Sequence, residues 1–193
     1  GLETLEARRC YLAIGHSARD TYARLLAQGL AMEPKPFAVG VRIEHEQSAV
    51  NRAQYGELCA HPALPPADYR LNVPTPDGRG VYTFCMCPGG EVIGASSEPG
   101  GLNVNGMSRR ARDGRNANAA LLVGVRPEDY GSADPLAGVA FQQEMERAAY
   151  RLFGGYRAPC QRVGDFLAGR PSAGFGTVTP SYRPGVEPSD LRA

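Results

Sequence analysis

Two thiols one residue apart, Cys85 and Cys87, stand just before Pro88, Gly89 and Gly90, and Cys59 and His61 repeat that spacing. Four such side chains can hold zinc. Structural zinc sites, however, separate paired ligands by two to four residues so that the loop folds back on the ion. In a strand, Cys85 and Cys87 would share one face, which suits a core position equally well; no metal site is expected. A disulfide across a single residue would close a very small ring and lacks the two-residue spacing that tunes thiolates at a helix start. The run "GHSARD", from Gly15 to Asp20, sets His16, Ser17 and an acid close in sequence. It is not the strand-to-helix elbow that exposes a nucleophile, so no hydrolytic triad is expected and no catalytic residue is assigned.

A second chemical feature is basic. The stretch "NVNGMSRRARDGRNANAA" carries Arg109, Arg110, Arg112 and Arg115 against Asp113, a local excess of three positive charges, with asparagines at 103, 105, 116 and 118. Guanidinium groups and glycine-freed N–H groups suit phosphates and carboxylates. A solvated turn would have the same composition, and both readings stay open on the residues alone. Nucleic acid is not an expected partner, because one cluster lacks the wide basic stripe and stacking aromatics that binding would need.

The chain around these residues has 193 positions, 42% hydrophobic and 21% charged, with a formal charge of +1. That suits one domain with a sizeable core, or one domain and part of another, and gives no global attraction to nucleic acid or anionic lipid. No apolar run reaches the ~18 residues of a membrane span and no signal-peptide pattern opens the chain, so a cytoplasmic location is expected. Five cysteines, an odd number, suit reduced thiols. With 24 glycines and 16 prolines, tight turns should be many and long helices few. Of 21 basic residues only Lys35 is lysine, which codon bias towards arginine explains.

Hydrophobic periodicity supplies the elements. Tyr11 to Ile14 reads as a short strand, Gly15 as a turn, and Ser17 with Asp20 as a capping-box-like start to a helix whose buried face is Ala18, Tyr22, Leu25 and Leu26, ended by Gly29. "FAVGVRIEHE" alternates like a strand with a glycine at a bulge or close approach, followed by a short helix from Gln47 to Gln54. "YRLNV", a turn at Asp77-Gly78, and "GVYTFCM" follow; the last of these should form a hairpin with "EVIGASS" across Pro88-Gly89-Gly90. "ANAALLVGV" reads as a buried strand. Asp134-Pro135 should open the longest helix, with Phe141, Met145, Ala148, Ala149 and Leu152 as its buried stripe and Gly154-Gly155 as its end. One helical turn is expected near Val163 to Leu167, and no internal repeat is evident. The sum is an α+β fold with a mainly antiparallel, mixed sheet and a few flanking helices.

Together, "LAIGHSARDTY", "KPFAVGVRIEHEQ", "GVYTFCMCPGGEVIGASSEPGGLNVNGMSRRARDGRNANAALLV", "DPLAGVAFQQEMERAAY" and "APCQRVGDFL" closely resemble the second half of a bacterial family of uncharacterised FAD-dependent (NAD/FAD-utilising) dehydrogenases. The resemblance runs from Tyr11 to Leu167 and less sharply to Leu191. It implies a glutathione-reductase-type flavoprotein in which an inserted domain covers the flavin. The family's N-terminal G-x-G-x-x-G fingerprint and its C-terminal glycine-rich segment are missing from this sequence. By resemblance, then, residues 1–33 are a strand-turn-helix crossover from the FAD-binding domain, 34–168 the inserted substrate-binding cap, and 169–193 a glycine- and proline-rich tail returning to it. The resemblance further implies Gly15, His16, Ser17, Arg19, Pro88, Gly89 and Gly90 as cofactor-side residues, with Pro88 to Gly90 letting backbone approach the isoalloxazine ring or substrate. It places Cys87, Asn105, Met107, Ser108 and Arg112 on the substrate side. Expected partners are the remaining FAD-binding domain of the same polypeptide and a small-molecule substrate, with NAD(P)H a candidate electron donor. The segment alone is expected neither to retain FAD nor to be active. The competing expectation is a non-enzymatic module that binds an anionic metabolite through Arg109 to Arg115; a small zinc-stabilised domain is a third.

Overall fold

A computed structural model describes residues 3–192. The chain divides into two compact units that part between Glu33 and Pro34.

The first unit contains one helix, α1 (Arg19–Ala27). Ala18 occupies its N-cap and no side chain caps it, so the capping box expected from Ser17 and Asp20 does not form. The Tyr22 hydroxyl instead donates to the Gly15 carbonyl, and the Tyr22 N–H to Ala18 O at 3.1 Å. Gly29, at φ 86°, ends the helix as expected: Leu30 N–H reaches Leu25 O and Gly29 N–H reaches Leu26 O. The strand expected at Tyr11 to Ile14 is absent. A strand needs a neighbour to take its N–H and C=O groups. No described stretch pairs with this run, and Tyr11 and Leu12 are 85% and 57% exposed.

The second unit holds β1 (Phe37–Glu46), α2 (Gln47–Tyr55), β2 (Asn72–Pro74), β3 (Gly80–Cys87), β4 (Gly90–Gly94), β5 (Val104–Ser108), β6 (Asn116–Val125), α3 (Ala137–Leu152), β7 (Ala158–Cys160), α4 (Val163–Leu167) and β8 (Val186–Pro188). The sheet order is β1-β6-β3-β2, all antiparallel, beside a β4-β5 pair and a parallel β7-β8 pair. The fold is α+β. Gly40 in β1 marks a close approach, since a Cβ there would lie 1.8 Å from Leu121 O on β6. No described helix is long and apolar enough to cross a membrane.

Two further expectations are corrected. β3 and β4 do not form a hairpin: β3 pairs with β6 and β2, and β4 with β5. The cause lies at Cys85, which adopts φ 49°, and in a register shift between Phe84 and Cys87 that bulges the strand and redirects it before the turn. The helix α3 also departs in part from its expected face. Ala149 packs as expected, together with Tyr150, against the buried cluster of Val92, Leu102, Ala158 and Tyr182, and Phe141 packs on Phe37 and Tyr130, but Met145 and Leu152 are 44% and 53% exposed. Backbone bonding settles the rotation, because Glu146 O accepts the Leu102 N–H at 2.9 Å. Tyr182 and Val186 bring the glycine- and proline-rich tail into this core.

Candidate functional site

An open groove of about 500 Å³ lies where the end of β3 meets β5. Met86, Cys87 and Pro88 form one side, Gly106 to Ser108 the floor, and Arg109, Arg110 and Arg112 the rim. Four of the residues implied by the resemblance, Cys87, Met107, Ser108 and Arg112, are thus brought together with Pro88. Asn105 stands one residue from the floor on the exposed side of β5.

The groove is held from behind by Arg42 on β1. Its Nη1 donates to Asn118 Oδ1 at 2.7 Å and to Cys85 O at 3.0 Å, and its Nη2 to Asn105 Oδ1 at 2.7 Å. One guanidinium therefore ties β1, β6, the bulge of β3 and β5. Gly106 makes room for it: a Cβ there would sit 2.1 Å from Asn118 Oδ1 and 2.4 Å from Arg42 Nη1. The turn beside the groove is fixed as firmly. Gly89 N–H donates to the buried Gln47 Oε1 at 2.7 Å, and Ser108 Oγ donates to Pro88 O at 2.7 Å. Gln47 is itself anchored by donating from Nε2 to Ala67 O and Asn51 Oδ1.

These bonds change what the glycines are for. A Cβ on Gly89 would lie 2.0 Å from Arg112 O, and one on Gly90 2.6 Å from Met107 O. The close approach they permit is met by the protein's own backbone. Pro88, Gly89 and Gly90 are buried, and of the three only Pro88 lines the groove.

Cys87 is buried, with its Sγ 3.3 Å from Cys85 O. Burial pushes its thiol pKa up, against the opposing pull of Arg42. It is therefore protonated at neutral pH, a polarisable wall rather than a nucleophile. Cys59 and His61 do not join it, and no group of three or more candidate metal ligands occurs among the described residues.

In the first unit Gly15, His16 and Ser17 are exposed, and His16 Nε2 lies 3.5 Å from Ser17 Oγ, too long for a strong bond. Arg19 is buried. Gly15 adopts φ 73°, with nothing within 4 Å of where its Cβ would be.

Sequence reasoning missed Arg42, Gln47, Asn118 and Glu44. Glu44 accepts from Ser181 Oγ at 2.5 Å, from Ser181 N–H and from Asn116 Nδ2. The available signal was the alternation Arg42, Glu44, Glu46 on one face of β1, which reads as a solvated face until β5 and the tail are placed over it. A half-buried pair, His45 Nε2 and Tyr69 Oη at 2.6 Å, also went unread; burial lowers the His45 pKa and raises that of Tyr69.

Residues 36–193 match the family model for "FAD-dependent protein, C-terminal domain-like". The chain belongs to that family, and so is a flavoprotein-associated module. Over 183 residues it is 52% identical to an uncharacterized protein of Clostridium beijerinckii, a match covering 94% of this chain and 34% of the relative. The chain thus spans about a third of that relative's length.

The groove fits part of a flavin. Thioethers of Met86 and Met107 suit the face of a planar ring, and the rim arginines suit electron-rich oxygens. Its walls offer no free glycine amide to cradle a diphosphate, since the Gly106 N–H already donates to Asn105 Oδ1 at 2.8 Å.

Proposed function

We propose that this chain is the substrate-covering part of an FAD-dependent oxidoreductase of the glutathione-reductase type, and that the groove beside Pro88 faces the flavin ring and substrate. In this reading residues 1–33 form the crossover from the FAD-binding domain, 34–168 the cap and 169–193 the returning tail. The match of residues 36–193 to a domain of FAD-dependent proteins carries the reading, supported by the groove's joining of Cys87, Met107, Ser108 and Arg112.

When bound, FAD supplies two-electron chemistry, with hydride transfer from the substrate or from NAD(P)H the reaction favoured here. The chain's own residues orient and exclude water. Met86 and Met107 pack against a planar group, and Arg109, Arg110 and Arg112 attract an anionic one. Arg42 holds the Cys85 carbonyl and Asn105 in place. Gly15, His16, Ser17 and Arg19 are assigned to the cofactor side through the crossover.

Expressing the open reading frame that contains this segment, with everything encoded on either side, tests the reading. A yellow protein bleached by a nicotinamide or substrate reductant is expected, and replacing Met107 with Glu should slow bleaching at least tenfold while flavin content is retained. A colourless product overturns it and favours the second reading, an anion-binding module without redox chemistry. That reading rests on three rim arginines for which no carboxylate partner is found within the described residues.

A further inference from the structure

We propose, resting on the reading of the groove as the substrate's place, that Arg42 beneath its floor fixes the substrate's class: a small organic acid whose oxyanion, a carboxylate or a phosphate, lies over Gly106. Arg42 is half-buried, and the three oxygens it binds, on Asn118, Asn105 and Cys85, are all neutral. No carboxylate pairs with it among the described residues. Glu44, the next residue on that face of β1, is bound by Ser181 and Asn116 instead. Two arginines just ahead of β3 and β6, by contrast, are paired: Arg79 with Asp77 and Asp129, and Arg115 with Glu46. A guanidinium taken partly out of water and given only neutral acceptors keeps an unbalanced charge, which is costly unless an anion completes it.

That charge lies against the one floor residue without a side chain. A Cβ on Gly106 would be 2.4 Å from Arg42 Nη1, so the guanidinium is at most about 4 Å from the Gly106 Cα. Its field reaches the wall as well, where it pulls the Cys87 thiol towards ionisation against the effect of burial. A donor beside it is unspent: Asn118 is fully buried, and its Nδ2 has no hydrogen-bond partner among the described residues.

On the rim, Arg109 to Arg112 form a fixed turn. The Arg112 N–H donates to Arg109 O at 3.0 Å, Arg112 adopts φ 52°, and its carbonyl packs against Gly89. Two acids border these strands, Glu91 opposite Met107 and Asp113 after Arg112; both are exposed and neither pairs with Arg42 or a rim arginine among the described residues. Positive charge on both sides leaves the floor to an anion, and Met86 and Met107 to its carbon skeleton. At about 500 Å³ the groove has the size of a small-molecule site. An acidic side chain from elsewhere in the open reading frame is the rival occupant, and it would close the groove to added acids.

Isothermal titration calorimetry on the protein expressed from the whole open reading frame tests this. The probes are trans-cinnamate, uncharged cinnamamide and inorganic phosphate, each to about 20 mM, which covers the affinity expected of ligands so small. Cinnamate is expected to bind at least about tenfold tighter than cinnamamide, the worth of a charge-assisted hydrogen bond. Arg42→Gln should abolish that preference and leave cinnamamide binding as it was, and Arg42→Lys should restore part of it. Loss of a merely structural tie would weaken both ligands alike. Cys87 gives a readout that needs no variant: bound cinnamate offsets the pull of Arg42, so the pH midpoint of Cys87 alkylation should rise with cinnamate and stay put with cinnamamide. Phosphate that displaces cinnamate supports the site and assigns phosphorylated acids; cinnamate that phosphate does not displace supports it and assigns carboxylic acids. Equal binding of cinnamate and cinnamamide, no binding of either, an unmoved Cys87 midpoint, or a preference that survives in folded Arg42→Gln overturns the proposal. The heat signal needs no flavin. A yellow protein without the preference therefore overturns this proposal alone, and a colourless one that shows it overturns only the flavin reading.

Discussion

Gly89 beside the groove and Gly15 ahead of α1 both adopt left-handed φ values, 55° and 73°, yet the space around them differs. Gly89 is walled in by Arg112 O and Asp113 N, its N–H is bound to Gln47, and its carbonyl accepts Gly114 N–H at 3.2 Å. Gly15 has open space where a Cβ would be, and its one described bond is the carbonyl's acceptance from Tyr22. Both glycines satisfy a backbone angle that other residues rarely adopt. Only at Gly89 does the lack of a side chain also serve packing. One turn is thus part of the domain's interior, and the other is a chain conformation with nothing built around it.

The largest effect that can break this contrast is expected from Gly89→Val. Overlap with the Arg112 carbonyl adds to the dihedral strain, so a loss of more than about 4 kcal/mol is expected by urea unfolding. A variant of near-native stability would show that the turn is looser than described. Gln47→Leu comes next. It leaves the buried Gly89 N–H and Ala67 carbonyl without their partner, at about 3 kcal/mol. Third is the thiol behind the same turn. With its pKa raised by burial, Cys87 should react with iodoacetamide at pH 7.5 at least tenfold more slowly than exposed Cys85. Raising the pH should narrow that difference, because a thiol with a raised pKa gains thiolate only at higher pH; mass spectrometry of the modified peptides reads both rates. The smallest effect sharpens the other side of the contrast: Gly15→Ala meets no atom and should cost only the left-handed conformation, about 1 kcal/mol. A larger cost would show that something packs against it.

Much of the fold was legible where local pattern and tertiary pairing agree. β1 and α2 lie where alternation and the following polar run put them, and β6 is the buried strand that its small and branched residues suggest. Legibility failed where a distant residue decides. The β3-β4 hairpin was plausible from turn chemistry alone, but Gln47 draws the Gly89 amide inward and Cys85 breaks the ladder. Neither is visible within the hairpin itself. The apolar run at Tyr11 to Ile14 has strand composition, yet extended backbone becomes a strand only beside another. On α3, Met145 and Leu152 were expected inside with Ala149 because hydrophobicity usually marks the core face, whereas here Ala149 turns inward beside Glu146 and Tyr150 and the other two stay exposed. The groove was half readable. Cys87, Met107, Ser108 and Arg112 sit near one another in sequence, while Arg42 reaches them only through sheet register.

The bond between Glu44 and Ser181 spans 137 residues. On a ribosome the carboxylate of β1 emerges on the order of ten seconds before the hydroxyl that will donate to it. A nascent chain therefore holds the Glu44 carboxylate near the end of edge strand β1 with Asn116 as a donor but without Ser181 until the tail has emerged, and a stall before Ser181 would leave that carboxylate short of two of its donors.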